Sequence, residues 1–278
     1  MQVLISVDLE GVAGVATRQQ TLPGGRDYER SRALMTAEAN AAIRGAFDGG
    51  ADSVLVTDSH GPADNLLADQ LDPRARLIFG DPKPLDMLQG ISDETGVVMF
   101  VGYHAGAADD RGVLGHTFSG GAFSDVRLGS QSITEAELNG LVASEFGVPV
   151  GLVTGDDVIC RLAERAFPGT IGVPVKQAIG RTAATTVHPE IACAAIADGA
   201  RRAVESVRLG TGARRPRVPS ELVLEADLRP SGAAELVALM PGTERVASRT
   251  VRFTASSARE ALEVIIVWSA LVSSFVAR

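Results

Sequence analysis

The feature that most restricts the fold is an alternation of apolar runs with helix-spaced segments through the first half of the chain. Val3–Val7, Ser53–Thr57, Val97–Val101 and Val150–Val153 are short and almost wholly apolar, which marks strands buried on both faces. Arg76–Phe79 is a further strand candidate. Tyr28–Phe47 carries apolar residues at helical spacing (Leu34, Met35, Ala39, Ala42, Ile43, Ala46, Phe47) and stops at Gly49-Gly50. Thr134-Glu-Ala-Glu137 reads as a capping box that opens a helix through Phe146. Asp157–Ala166 reads as another helix and Asn65–Gln70 as a short one. This rhythm predicts an α/β fold with a mainly parallel sheet covered by helices.

Beyond about Pro174 the pattern is less regular. A long helix is expected over Pro189–Val207, a Gly/Arg/Pro connector over Gly210–Pro219, and then a strand–helix–strand–helix series (Glu221–Ala226, Ala233–Met240, Arg245–Phe253, Ala258–Phe275). We therefore divide the chain into an α/β core over residues 1–175 and a smaller α+β lobe with a C-terminal helix over residues 176–278. At 278 residues the chain is long enough for that division. Aromatic residues make up only 4%, so the core is expected to be built from small and branched aliphatic side chains.

Several function classes are disfavoured. A net charge of −8 argues against a nucleic-acid footprint, which needs a basic surface to displace counterions. The arginines between Arg201 and Arg217 lie among Gly, Thr and Pro without aromatic stacking partners, and read as a solvated helix end and loop. Cys160 and Cys193 have no metal-site or disulfide spacing, and the N-terminus opens directly on a strand without a leader pattern. The expectation is a cytoplasmic protein. Val264–Ala277 is apolar but shorter than the roughly 18–20 residues of a membrane span, so it is expected to be a buried helix or a subunit contact.

The chain has four histidines, and where they fall points to chemistry. His60 follows the Ser53–Thr57 run and precedes Gly61; His104 follows Val97–Val101 and precedes Ala105-Gly106; His116 follows Gly115. Asp8 and Glu10 close the first strand ahead of Gly11. In open α/β sheets the ligand crevice lies beyond the carboxyl ends of the strands, so three strand ends deliver these side chains to one edge. Asp8 and Glu10 are two apart on extended chain and point to the same face, where both can reach one cation. Imidazole with carboxylate and no thiolate suits Zn²⁺, and also Mn²⁺ or Co²⁺. Each piece has a plainer reading: a solvated acid pair, loop histidines bonded to backbone, and Glu135 as a helix-capping carboxylate. The convergence of strand ends is what favours a site.

The ordered set Ser6-Val-Asp-Leu-Glu-Gly11, Thr57-Asp-Ser-His60, Gly102-Tyr-His-Ala105, Gly112-Val-Leu-Gly-His-Thr117 and Thr134-Glu-Ala-Glu-Leu-Asn139 resembles the zinc D-aminopeptidases of the dipeptide-operon type. Asp27-Tyr-Glu-Arg30, Met35-Thr-Ala-Glu-Ala-Asn40, Gly155-Asp-Asp157 and Val175-Lys-Gln177 extend the likeness, which is collinear to about residue 185 and weaker afterwards. The resemblance implies two zinc ions per subunit, with Asp8 as the bridging carboxylate, Glu10 and His60 on one metal, and His104 and Glu135 on the other. It implies a catalytic, non-ligating role for His116, short peptides with an N-terminal D-alanyl type residue as substrates, and a homo-oligomer, in that family a ring-like decamer. This sequence departs from the family in a slightly longer loop between His104 and His116 and in the stretch Phe118–Ile133, which should shape the substrate pocket.

Two cations sharing a water lower its pKa toward neutrality, and His116 would protonate the leaving amine or bond the developing oxyanion. Asn139, one turn after Glu135, is a candidate substrate contact or a solvated helix residue. Asp58 is a candidate orienting carboxylate or strand-end cap, and Lys176 is expected to be an exposed lysine near the site. His188 and Cys160 are expected to be structural. Two other classes compete: a dinuclear-metal phosphoesterase, which would want arginine or lysine clamps where Arg18 and Arg111 are the nearest basic residues, and a non-catalytic binding protein on the same fold.

Overall fold

A computed structural model of the chain describes residues 1–277. In chain order the elements are β1 (Gln2–Val7), α1 (Tyr28–Asp48), β2 (Ser53–Asp58), β3 (Arg76–Ile78), β4 (Thr95–Tyr103), β5 (Phe123–Leu128), β6 (Gln131–Ser132), α2 (Glu135–Glu145), β7 (Val150–Asp156) and α3 (Asp157–Ala166). There follow β8 (Ile171–Gly180), β9 (Ala183–Thr186), α4 (Pro189–Arg208), β10 (Leu222–Leu228), α5 (Ala233–Val237), β11 (Glu244–Arg245), β12 (Thr250–Ala255) and α6 (Ala258–Val276). No helix among the described residues is long and apolar enough to cross a membrane.

The main sheet has the order β3-β2-β1-β4-β7-β8-β9, parallel throughout except for the β8–β9 hairpin. Its strands are apolar on both faces because both are covered. Val3, Ile5 and Val7 of β1 pack with Ala39, Ala42 and Ile43 of α1 and Ile196 and Ala200 of α4. Leu4, Val98 and Phe100 face the opposite core, which holds Leu138 and Val142 of α2 and Trp268 of α6. Period-two alternation thus feeds two separate cores from each strand. The second sheet, β11-β12-β10-β5-β6, is antiparallel and packs against α6. Trp268 is fully buried and its indole Nε1–H is satisfied by Thr243 Oγ1 at 3.0 Å, so Trp268→Ala would cost about 3–5 kcal/mol.

Two expectations about organisation meet a different outcome. Residues 65–70 form turns, because Asp58 draws the amides of Asn65 and Leu66 onto its carboxylate and leaves no helical start. The sheets also do not follow a cut at 175/176. β8 runs across that point, α4 returns to cover the main sheet, and the second sheet takes β5 and β6 from the first half of the chain. The mainly parallel α/β core and the smaller α+β layer are both present, but they are interleaved along the sequence.

Register fixes the site. Val7 lies level with Asp58 of β2 on one side and Val101 of β4 on the other, so the three strands end together. β2 follows β1 on one side while β4 lies on the other, which makes the β1/β4 boundary the topological switch point where such sheets open a crevice.

Candidate metal centre

The chain leaving β1 and the end of β4 approach so closely that only glycine fits on either side. Gly11 N donates to Gly102 O at 2.7 Å, and a Cβ on Gly11 would overlap the Tyr103 and Gly102 backbone. Gly102 has φ of 72°, and a Cβ there would overlap Asp8 O. This contact sets Asp8 and Glu10 directly against His104. His60 arrives from the β2 end, where Asp58 accepts hydrogen bonds from the amides of His60 (3.3 Å), Asn65 (2.6 Å) and Leu66 (2.7 Å). Asp58 therefore shapes the loop backbone and does not orient the His60 ring.

Glu135 comes from the first turn of α2. The cap is supplied by its neighbours: Thr134 Oγ1 accepts from Glu137 N at 3.1 Å, and Glu137 Oε2 accepts from Thr134 N at 2.7 Å. Capping is not what Glu135 does. Its Oε1 accepts from Phe118 N at 2.6 Å, and its Oε2 faces His104 Nε2 at 3.5 Å.

All three imidazoles have one nitrogen tied to a backbone carbonyl. His60 Nε2 meets Thr21 O at 2.7 Å, His104 Nδ1 meets Ala105 O at 2.9 Å, and His116 Nδ1 meets Leu114 O at 2.9 Å. A nitrogen facing a carbonyl oxygen must donate, so in each neutral ring the other nitrogen carries the lone pair. Those lone pairs point at carboxylates. His60 Nδ1 lies 3.2 Å from Asp8 Oδ1 and 2.8 Å from Glu10 Oε2; His104 Nε2 lies 3.4 Å from Asp8 Oδ2; His116 Nε2 lies 3.8 Å from Glu135 Oε1. His104 and His116 stack with centroids 4.1 Å apart. Asp8 is central, with one oxygen toward the His60–Glu10 side and the other toward His104.

Acceptors crowded onto acceptors need a positive charge between them, either protons on the rings or cations. Protons alone leave a remainder, because Asp8 Oδ2 and Glu10 Oε2 are buried without a hydrogen-bond partner. Donor atoms bonded at the ~2.0–2.1 Å of zinc–nitrogen and zinc–oxygen ligation stand about 3.3 Å apart around a tetrahedral ion. The 2.8–3.5 Å separations here bracket that value. Asp8, Glu10 and His104, and separately His104, His116 and Glu135, form groups whose ligand atoms are close enough to hold a metal. The residues present fit divalent cations with nitrogen and oxygen preference.

The electrostatics of the metal-free cluster agree. Burial pushes Asp8 up to about 7, with Glu10 adding like-charge repulsion. Burial lowers both His60 and His104, but the carboxylates outweigh it: Glu10 and Asp8 hold His60 well above its ordinary value, and Glu135 and Asp8 raise His104 to about 10. Glu10 and Glu135, though buried, are drawn below the usual carboxylate range by His60 and His104 respectively. His116 moves the other way, lowered by burial and by His104 beside it. It is the ring the carboxylates leave neutral.

A cavity of about 400 Å³ opens over Glu10, His60 and His116, with Arg18, Leu22 and Arg181 among its walls. Asn139 does not line it. Its side chain is fully buried, with Nδ2 3.1 Å from Met87 Sδ, because the face of α2 carrying Glu135 and Asn139 turns into the core. The expectation of an exposed Lys176 is overturned. It is buried on β8, and its ammonium donates to the carbonyls of Glu10 (2.5 Å), Val12 (3.0 Å) and Val15 (2.5 Å). The available signal was a lysine inside an apolar strand run, Val173-Pro-Val-Lys176, where solvent is not expected. Arg181, from the β8–β9 turn, and the Thr21 carbonyl carried no such local signal. His188 caps α4, and Cys160 is buried in the core.

The sequence profile of the D-aminopeptidase peptidase family matches residues 1–267. A D-aminopeptidase of Bacillus subtilis (strain 168) is 36% identical over 275 residues, which cover 98% of this chain and 97% of the relative. A solved structure described as the Zn-dependent D-aminopeptidase DppA from Bacillus subtilis, a self-compartmentalizing protease, superposes with a TM-score of 0.92 at 35% identity over 98% of both chains. A match of this extent, in sequence and in fold, places the chain in the D-aminopeptidase family.

Proposed function

We propose that the protein is a zinc-dependent aminopeptidase that removes the N-terminal residue, of D-alanyl type, from short peptides. The observation that carries this reading is the ring of buried donors around Asp8, whose outer nitrogens are tied to carbonyls and whose inner atoms have only one another to face. Two zinc ions per subunit fit it, with Asp8 shared between them, Glu10 and His60 holding one, and His104 and Glu135 the other. Bound there, the metals would supply an acidified water and a Lewis acid for the scissile carbonyl.

The residues of the chain divide the remaining work. The substrate's free α-amine, in its neutral form, would be held at one of the metals, which would confine cleavage to the first residue. His116 borders the cavity with its Nε2 unprotonated, because Nδ1 donates to Leu114 O. Nε2 accepts the proton released as water adds to the carbonyl carbon. It then returns that proton to the leaving nitrogen as the C–N bond breaks. Stacking on His104 keeps the ring in plane for both transfers.

The relative described as self-compartmentalizing supports a homo-oligomeric assembly for this chain, and the family resemblance a decamer. Exposed Phe79, Ile179 and Ile191 offer apolar surface for subunit contacts. A cytoplasmic location is part of the same proposal, in keeping with Cys160 and Cys193 lying unpaired in the fold.

The test is hydrolysis of matched D-Ala and L-Ala dipeptides by zinc-loaded protein, with and without a chelator. Chelator-sensitive cleavage favouring the D-form is expected. Cleavage favouring the L-form would keep the reaction and overturn the specificity. No cleavage of either peptide, with metal verified in the protein, would overturn the aminopeptidase assignment.

A further inference from the structure

The cavity over the candidate metal centre is lined both by members of the proposed metal set, Glu10 and His60, and by cationic side chains that this set does not use. Apart from histidine, its cationic side chains are Arg18 and Arg181. They come from opposite sides of the site. Arg18 opens the 3₁₀ turn Arg18–Gln20, and its carbonyl accepts from Thr21 N at 3.1 Å; Thr21 O in turn holds the His60 ring. Arg181 sits at the β8–β9 turn. Its carbonyl accepts from Leu114 N at 2.7 Å, and one of its guanidinium nitrogens donates to Gly115 O, next to His116. The backbone of each arginine is therefore fixed to a histidine-bearing segment, while both side chains are solvent-exposed. Neither guanidinium is within ion-pairing distance of a carboxylate among the described residues, which leaves both free to meet an anionic ligand.

We propose that Arg18 and Arg181 bind the C-terminal carboxylate of the peptide, so that the site reads both ends of a short zwitterionic substrate. This rests on the aminopeptidase reading above. A short peptide whose α-amine is held at the metal centre presents its carboxylate to the cationic side chains that line the same cavity. Guanidinium is the side chain whose forked donors match a carboxylate. At about 400 Å³ the cavity encloses both ends only when the peptide is short, so length selection follows from the same pair.

The experiment compares a D-Ala-D-Ala dipeptide with its C-terminal amide, in wild type and in R18Q, R181Q and the double variant, all zinc-loaded. Wild type is expected to favour the free acid by about tenfold or more in kcat/KM, chiefly through KM. In the double variant the acid-to-amide ratio of kcat/KM should fall to about one. As a readout apart from turnover, a dipeptide analogue with a methylene-amine in place of the peptide bond is titrated calorimetrically as free acid and as amide. The same preference, lost in the double variant, is expected. R18Q alone guards against a folding artefact, since the Arg18 side chain is exposed and supports nothing else. Equal use of acid and amide by wild type would overturn the clamp while leaving the aminopeptidase intact. So would an equal loss of both substrates in the variants, which is what a purely structural role gives. Failure of zinc-loaded wild type to cleave either substrate would overturn the aminopeptidase reading and the clamp with it.

Discussion

The turn after β1 and the loop after β4 both deliver residues to the centre, yet they are held in different ways. The β1 turn, residues 8–15, is buried and fastened by charged side chains from distant elements. The Lys176 ammonium caps three of its carbonyls, and Glu38 Oε1 of α1 accepts from Ala13 N at 2.8 Å. The β4 loop, residues 104–121, is exposed around Ala108 and Asp110-Arg111 and is fastened mainly through its backbone. His116 N donates to Ala105 O, Val113 N to Asp156 Oδ2 and Leu114 N to Arg181 O. A buried ammonium shared among three carbonyls tolerates one geometry, whereas an exposed loop can change length and sequence between tie points. The rigid turn carries Asp8 and Glu10, two carboxylates of the proposed metal set. The adaptable loop carries His116 and part of the cavity wall.

The largest effects should separate the two regions by metal content. Asp8→Asn, on the rigid turn, is expected to abolish turnover and to lower bound zinc on both sides of the centre, read by elemental analysis of dialysed protein. Retention of full metal in that variant would break the assignment of Asp8 as shared. His116→Ala, on the loop, should lower kcat by ~10²–10⁴ while zinc content stays at the wild-type level. Loss of zinc together with activity would instead make His116 a ligand, as its grouping with His104 and Glu135 would then indicate.

Lys176→Met tests whether the β1 turn depends on its buried cation. Three carbonyls lose their donor, and destabilisation of about 3 kcal/mol or more is expected in chemical denaturation, with weakened zinc affinity. An unchanged midpoint would show that the turn is as self-sufficient as the loop. Glu38 gives a smaller, pH-resolved effect. Burial raises its carboxyl to about 7, opposed by the Ala13 amide and by Lys176. An acid whose pKa is higher in the folded than in the unfolded state favours folding below its unfolded value, near 4.5, and that contribution is lost as pH rises through 7. Glu38→Gln should therefore gain stability relative to wild type between about pH 5 and pH 8, by at most roughly 3 kcal/mol. A difference in melting temperature that stays flat over that range would contradict a protonated, buried Glu38.

Much of the site was legible in the sequence because its parts sit at strand ends. Apolar runs bounded by glycine fix where β1, β2 and β4 stop, and parallel neighbours that stop level bring Asp8, Glu10, His60 and His104 to one edge. Helices α1, α2, α3 and α4 were equally visible, since period 3.6 and capping residues are local properties. Glu135 was less so. Its place in the first turn of α2 suits a cap as well as a ligand, and the choice turns on Thr134 and Glu137 filling the cap first.

The amino-acid sequence by itself determined the strand and helix rhythm, the α/β class and the donor types available at the strand ends. Tertiary structure decided the rest, in each case through partners far apart in the chain. No strand is assigned to Phe123–Leu128 from the sequence; β10 makes it β5 by pairing with it from about a hundred residues later, and that pairing is what interleaves the two layers. Lys176 reads as a surface lysine until the Glu10, Val12 and Val15 carbonyls of the turn after β1, 161 to 166 residues away in the chain, close around it. Asn139 reads as a substrate contact until α2 settles against Met87. Local pattern fixes period and termination. Which polar group meets which across the fold depends on sheet order and register, and those are set by how two cores fill, a property of the whole chain.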